Sequence, residues 1–147
     1  MITNRSAPTA TVVPILIYDD VSTAIDWLCS SFGFQERLRA PGRDGAITHA
    51  QLAIDEGALM LGKAGGPFKA QVDKPSQYVH ITVADVAAHF ARARAAGAEI
   101  VEPLTVMPFG ERQYTAKDHA GHWWTFSQHV ADVAPEDWGA ISATSAP

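Results

Sequence analysis

Cysteine is almost missing: Cys29 stands alone among 147 residues, which excludes an intrachain disulfide framework and any zinc site built on cysteines. There is also no run of Lys or Arg. With a net charge of −5 the chain has no electrostatic footprint for nucleic acid or an anionic membrane surface. No apolar stretch reaches the ~20 residues that span a bilayer. The opening MITNRSAPTATVV has neither the charged nor the apolar region of an export signal. The expected setting is therefore the cytoplasm, without nucleic acid or membrane as partner. A G-x-S-x-G elbow, an ordered Ser/His/Asp set and a glycine-rich phosphate loop are absent as well, so serine hydrolysis and nucleotide chemistry have no support.

What is present is an internal repeat. VPILIYDDVSTAIDWLCSSFGF returns in degenerate form as VHITVADVAAHFARARAAGAEI. Asp19 matches Asp85 at a spacing of 66 residues (85 − 19) and Gly33 matches Gly97 at 64 (97 − 33), so the second copy has lost two residues. Two copies of one supersecondary unit imply that the chain folds as paired modules.

Each copy has the same order of signals. Residues 12–18 are β-branched or apolar at nearly every position, as a strand requires. Asp19 and Asp20 offer helix N-caps, Val21, Ile25, Leu28 and Phe32 fall on one helical face, and Gly33 stops the helix. Strands at 35–39, 47–54 and 58–62 follow, joined by the turns PGRDG and DEG. After a connector at 63–76, a strand at 78–84 leads to a helix at 86–96 capped by Asp85, with Val86, Phe90 and Ala93 on its stripe. Strands at 99–107, 113–117 and 123–129 complete the second copy, with PFGE and DHAGH as turns. The expected fold class is α+β: two tandem βαβββ modules, 12–63 and 78–130, between a mobile leader (1–11) and a tail (131–147).

Side chains alternate across a strand. Val79, Ile81 and Val83 therefore share the helix side, and Tyr78, His80 and Thr82 the other, which is polar enough to wall a cavity. In the last strand Trp124 and Phe126 go beneath the helix while Trp123, Thr125 and Ser127 join His80. The same parity assigns Pro14, Leu16 and Tyr18 to the cavity side of the first strand. Arg112, at the start of a strand leading to Asp118, is a further candidate for a ligand contact; Arg39 is a surface charge. Cys29, on the first helix, is expected to be a packed thiol.

The paired βαβββ units, VPILIYDD followed by an amphipathic helix and FGF, and the run FGERQYTAKDHAGHWWTF resemble the vicinal oxygen chelate superfamily. That superfamily includes glyoxalase I, extradiol dioxygenases, fosfomycin resistance enzymes and bleomycin resistance proteins. The most specific element is Asp118, Gly121, His122, Trp124 and Phe126, similar to the family run Asp-Pro-x-Gly-Asn/His-x-x-Glu-Phe. The resemblance implies a U-shaped, eight-stranded mixed sheet (the glyoxalase/bleomycin resistance fold) whose concave face holds the ligand. Catalytic members hold a divalent metal with two side chains from each module. Those positions fall on Pro14, Met60, His80 and Thr125, with Leu59 or Leu61 in place of Met60 if the alignment slips by one.

One imidazole does not make a catalytic metal site. No metal or other cofactor is therefore expected, and His49, His119, His122 and His129 lack the tight spacing of a relocated ligand set. Two functions remain open. One is a binding protein of the bleomycin resistance type, a homodimer that sequesters an apolar or aromatic molecule with Tyr18, Met60, Tyr78, His80, Arg112, Trp123 and Thr125. The alternative is a glyoxalase- or dioxygenase-like enzyme that uses His80 as acid/base or relocates the metal. Fold resemblance does not choose between them.

Overall fold

The computed structural model describes residues 2–70 and 75–143. Met1 of the expected leader, part of the connector and the last four residues of the tail lie outside the described residues. The chain divides into two compact units: Met1–Ser76 with Asp118–His122, and Gln77–Lys117 with Trp123–Pro147. Among the described residues no helix is long and apolar enough to cross a membrane.

Unit 1 contains β1 (Ile15–Tyr18), α1 (Val21–Phe32), β2 (Gln35–Pro41), β3 (Ile47–Ile54) and β4 (Gly57–Lys63). Unit 2 repeats the pattern with β5 (Val79–Thr82), α2 (Val86–Ala95), β6 (Glu99–Val106), β7 (Glu111–Lys117) and β8 (Trp123–His129). The fold class is thus α+β, with eight strands in tandem βαβββ modules. Their hydrogen bonds form two mixed sheets of four, ordered β1-β4-β3-β2 and β5-β8-β7-β6. In each sheet the first strand runs parallel to the last of its module, and the other pairs are antiparallel.

The caps correct the repeat's spacing. Asp20, not Asp19, caps α1 by accepting from Thr23 N at 3.0 Å, as Asp85 accepts from Ala88 N at 3.0 Å in α2. The helix starts therefore stand 65 residues apart (85 − 20). The strand pairs agree: Ile15 faces Met60 and His80 faces Thr125, again 65 apart in each column (80 − 15 and 125 − 60). The position equivalent to His80 is Ile15 rather than Pro14. Gly33 ends α1 in the left-handed conformation, φ 80°.

Residues paired across a ladder point to the same side. In unit 1 this places Leu16, Ala50, Leu52, Leu59 and Leu61 on the helix side with Val21, Ala24, Ile25, Leu28 and Phe32, all buried. Unit 2 buries Tyr114, Ala116, Trp124 and Phe126 beneath α2 with Val86 and Ala93. Phe90, expected on that stripe, is only half-buried; it meets Tyr114 edge-on at 5.0 Å while the Arg94 guanidinium sits 5.5 Å above its ring. Trp27 is likewise half-buried.

Both expected mobile ends make specific contacts. Gln51 Nε2 donates to Ser6 O at 2.9 Å, and Arg37 Nη2 reaches the carbonyls of Arg5 and Ala7 at 3.5 Å. In the tail Pro135–Trp138 form a 3-10 turn, and the Trp138 ring lies 5.3 Å from that of Phe109.

Candidate functional site

β7 begins at Glu111, two residues earlier than the sequence suggests, because Gly110 turns the chain immediately before it. Gly110 has φ 88°, and a Cβ there would lie 2.4 Å from Ala131 O. The earlier start adds Glu111 to the side of sheet 2 that faces away from α2. On this open side, ladder partners form four rows: Trp123 and Lys117 with Glu99; His80, Thr125 and Thr115 with Glu102; Thr82, Ser127 and Gln113 with Thr105; then His129 and Glu111. The helix-side residues alternate with them as the sequence predicts for β5 and β8.

The open side is a connected polar surface. Thr115 and Thr125 share a hydrogen bond at 2.8 Å. Ser127, fully buried, donates from Oγ to Glu111 Oε1 at 2.8 Å, and His129 Nδ1 lies 2.6 Å from Glu111 Oε2. Burial pushes the Glu111 carboxyl up, but the contacts with His129 and Ser127, with a smaller influence of His80, outweigh it and hold the group below its ordinary range. His80 itself is exposed on the short edge strand.

The open side of sheet 1 is different. Ile15 and Met60 stand where His80 and Thr125 stand in sheet 2, with Gln51 next to Met60. Gln51 is buried: its side-chain oxygen accepts from Arg37 Nη1, its nitrogen holds the leader at Ser6, and His49 Nε2 lies 3.2 Å away. Leader residues 8–11 then border an open cleft of about 600 Å³ with Arg37, Asp55 and Glu56.

Tyr18 leaves the cavity side to which the sequence assigned it. Because Leu16 pairs with Leu61, the parity of β1 turns Leu16 and Tyr18 toward the helix. The phenol donates to Asp118 Oδ2 at 2.6 Å, and Asp118 Oδ1 accepts from the backbone N–H groups of Ala120 and His122, each at 3.0 Å. His122 Nε2 lies 2.8 Å from Ile17 O, and the His119 ring stacks parallel to Tyr18 at 5.7 Å. Residues 118–122 are thereby part of unit 1, and their histidines serve the turn. Beside them Tyr18, Asp20, Thr23, Ala70 and His119 border a smaller cavity of about 250 Å³.

Arg112 also moves to the other side. It pairs with Gln128, whose Oε1 accepts from Val86 N at the start of α2 at 2.9 Å, so Arg112 lies on the helix side of β7. The structure does not bring it together with His80. Met60 is half-buried on the open side of sheet 1. Tyr78 is 63 % exposed just before β5. Trp123 is half-buried at the start of β8, with Lys117 Nζ 5.5 Å over its ring. Glu111 is absent from the candidates the sequence offers because PFGE reads as a turn, although Glu111, Gln113 and Thr115 alternate with Arg112, Tyr114 and Ala116 as a strand's polar face should.

The family's metal positions can be tested on donor chemistry. Ile15, Met60, His80 and Thr125 provide one imidazole and no carboxylate, so these residues do not fit a catalytic divalent metal. Among the described residues no three His, Cys, Asp or Glu side chains are grouped to hold an ion. Burial, with the charges of Glu36 and Asp26 adding to it, pushes the Cys29 thiol up, which argues against a nucleophile.

Comparison with known proteins agrees with the fold. Residues 9–126 match the family model described as the Glyoxalase/Bleomycin resistance protein/Dioxygenase superfamily. The chain is 36 % identical over 129 residues to uncharacterized protein Rv0887c of Mycobacterium tuberculosis, covering 82 % of this chain and 75 % of the relative. Among solved structures, TioX from Micromonospora sp. ML1 is 40 % identical with a TM-score of 0.69, over 82 % of this chain and 98 % of that one. A glyoxalase/bleomycin resistance protein/dioxygenase from Alicyclobacillus acidocaldarius shares the fold at 14 % identity and a TM-score of 0.64, over 85 % and 95 % of the two chains.

Proposed function

Because the chain belongs to the glyoxalase/bleomycin resistance protein/dioxygenase superfamily, we propose that it is a metal-independent binding protein for a small, largely apolar or aromatic molecule, held on the open side of sheet 2. The observation that carries this is the replacement of the metal-ligand set: Ile15, Met60 and Thr125 leave His80 as the sole conventional ligand. What remains is suited to contact rather than to Lewis-acid chemistry. His80 and the Thr115–Thr125 hydroxyl pair offer hydrogen bonds, and Trp123 offers apolar surface. Tyr78 contributes an exposed ring. The protein acts as a homodimer, closed two-fold dimers being the commonest soluble oligomer.

Metal analysis of untagged protein, combined with a titration of tryptophan fluorescence by aromatic compounds, tests this. We expect no stoichiometric divalent ion, no glyoxalase turnover when nickel or zinc is added, and saturable quenching that His80→Ala weakens about 2- to 10-fold, one hydrogen bond being worth ~0.5–1.5 kcal/mol. One tightly bound metal per chain, lost in His80→Ala, would sink the proposal and favour a relocated metal site.

A further inference from the structure

We propose that Glu111 sets the specificity of this face, and that the ligand presents a protonated amine, or another cationic N–H group, to its carboxylate. The inference rests on the binding function above and adds the chemical class of the ligand.

Of the carboxylates on this face, Glu99 and Glu102 stand exposed on the edge strand β6, and Glu111 alone is covered; the side chains beside it are hydroxyls, amides and imidazoles. Its side chain is only 15 % exposed. Burying an ionised carboxylate costs several kcal/mol unless charge or hydrogen bonds offset it. Here the Ser127 hydroxyl and the His129 ring offset it, but holding those two donors needs only an acceptor and not a full negative charge. The two visible contacts, from the Ser127 hydroxyl and from a ring N–H of His129, could both be accepted by the carbonyl oxygen of a glutamine.

The two partners also differ in how firmly they hold the carboxylate. Ser127 is fully buried and fixes Oε1, whereas the His129 side chain is 76 % exposed and covers Oε2 from solvent. A ligand ammonium can displace an exposed imidazole, and each carboxylate oxygen has room for a second donor. The opposite end of the face is apolar and cationic: Trp123 lies under Lys117, which is itself paired with Glu99 at 3.1 Å. From Trp123 to Ser127 is four residues, or roughly 13 Å along an extended strand. That separation matches a ligand with an aromatic ring at one end and an amine at the other.

Calorimetry with three probes of one shape tests this: 6-(1-naphthyl)hexylamine, its neutral N-acetyl derivative and 6-(1-naphthyl)hexanoate. The amine should bind about 10-fold more tightly than the acetyl derivative and the carboxylate most weakly. Glu111→Gln should erase the preference between amine and acetyl derivative while leaving the acetyl derivative's affinity within about 2-fold. Should Glu111→Gln fold poorly by circular dichroism, His129→Ala provides a second readout. It uncovers Oε2 and should raise amine affinity about 2- to 5-fold without changing the acetyl derivative. Equal binding of all three probes to the wild-type chain would overturn the role of Glu111 and leave the binding function intact. If none of the three binds, both fall.

Discussion

The Tyr18 phenol and the Asp118 carboxylate, 100 residues apart in the chain, meet at 2.6 Å in a buried hydrogen bond. Hydrogen bonds to charged groups contribute more than neutral ones, ~1.5–3 kcal/mol. Tyr18→Phe removes the donor and little volume, so it should destabilise the fold by about 1–3 kcal/mol in urea denaturation. Asp118→Ala should cost at least as much, since it also removes the acceptor for Ala120 N and His122 N. If Tyr18→Phe unfolds at the wild-type midpoint, the bond does not fasten residues 118–122.

A dependence on alkaline pH follows from the same phenol. Burial, then the charge of Asp118 and the hydrogen bond to it, push Tyr18 well above the ordinary tyrosine value, and burial pushes Tyr114 up in unit 2. Both groups hold their protons more tightly folded than unfolded, where the pKa is about 10. Their contribution is therefore complete below pH ~10 and is lost as pH rises through the folded-state values. Denaturation midpoints should be level from pH 8 to 9.5 and fall above pH 10, in step with tyrosinate absorbance. Unchanged midpoints at pH 11.5 would contradict the assignment of both buried phenols.

The two helices should respond unequally to truncation. Ile25, on the inner face of α1, is fully buried, and Ile25→Ala should cost ~2–5 kcal/mol. Phe90 is half-buried, with its ring shared between Tyr114 and Arg94. Phe90→Ala should therefore cost less, roughly 1–2.5 kcal/mol. A larger loss for Phe90→Ala than for Ile25→Ala would mean that α2 carries more of the fold's stability than its burial shows.

The tandem βαβββ architecture was legible because it is written in local signals: alternating strands, Asp caps, glycine stops and a repeat. The position of Thr125 beside His80 followed from parity alone. Features set by ladder register were not legible. Whether Asp19 or Asp20 caps α1 shifts the first strand by one residue, and a one-residue slip reverses every side chain. That slip exchanged Pro14 for Ile15 and put Tyr18 and Leu16 on the cavity side. The side taken by Arg112 and the place of Glu111 are obscured for a related reason: PFGE reads locally as a turn, and the start of β7 is fixed by the backbone approach of Ala131 to Gly110, although the alternation of Glu111 with Gln113 and Thr115 already fits a strand. The docking of residues 118–122 into unit 1 depends on a partner 100 residues away, which neither the repeat nor the turn chemistry marks.

The leader's place on sheet 1 gives the last prediction. Gln51 is 3 % exposed and lies beside Met60 on the open side, where its amide must find partners or cost stability. Ser6 O and Arg37 supply them, and Arg37 in turn reaches Arg5 O and Ala7 O. Removing residues 2–11 would take away three carbonyl acceptors and leave Gln51 and Arg37 to solvent. Solvent replaces part of what is lost, so the truncated chain should fold with a stability lower by about 1–2 kcal/mol. It should also bind 1-anilinonaphthalene-8-sulfonate more strongly, because loss of residues 8–11 opens the cleft that they border with Ala53 and Ala58. Hydrogen exchange gives an independent check: backbone amides of β3 around Gln51 should exchange faster in the truncated chain, and those of β7 should not change. If the truncated chain keeps the wild-type denaturation midpoint and dye binding, residues 2–11 do not stabilise sheet 1 in solution.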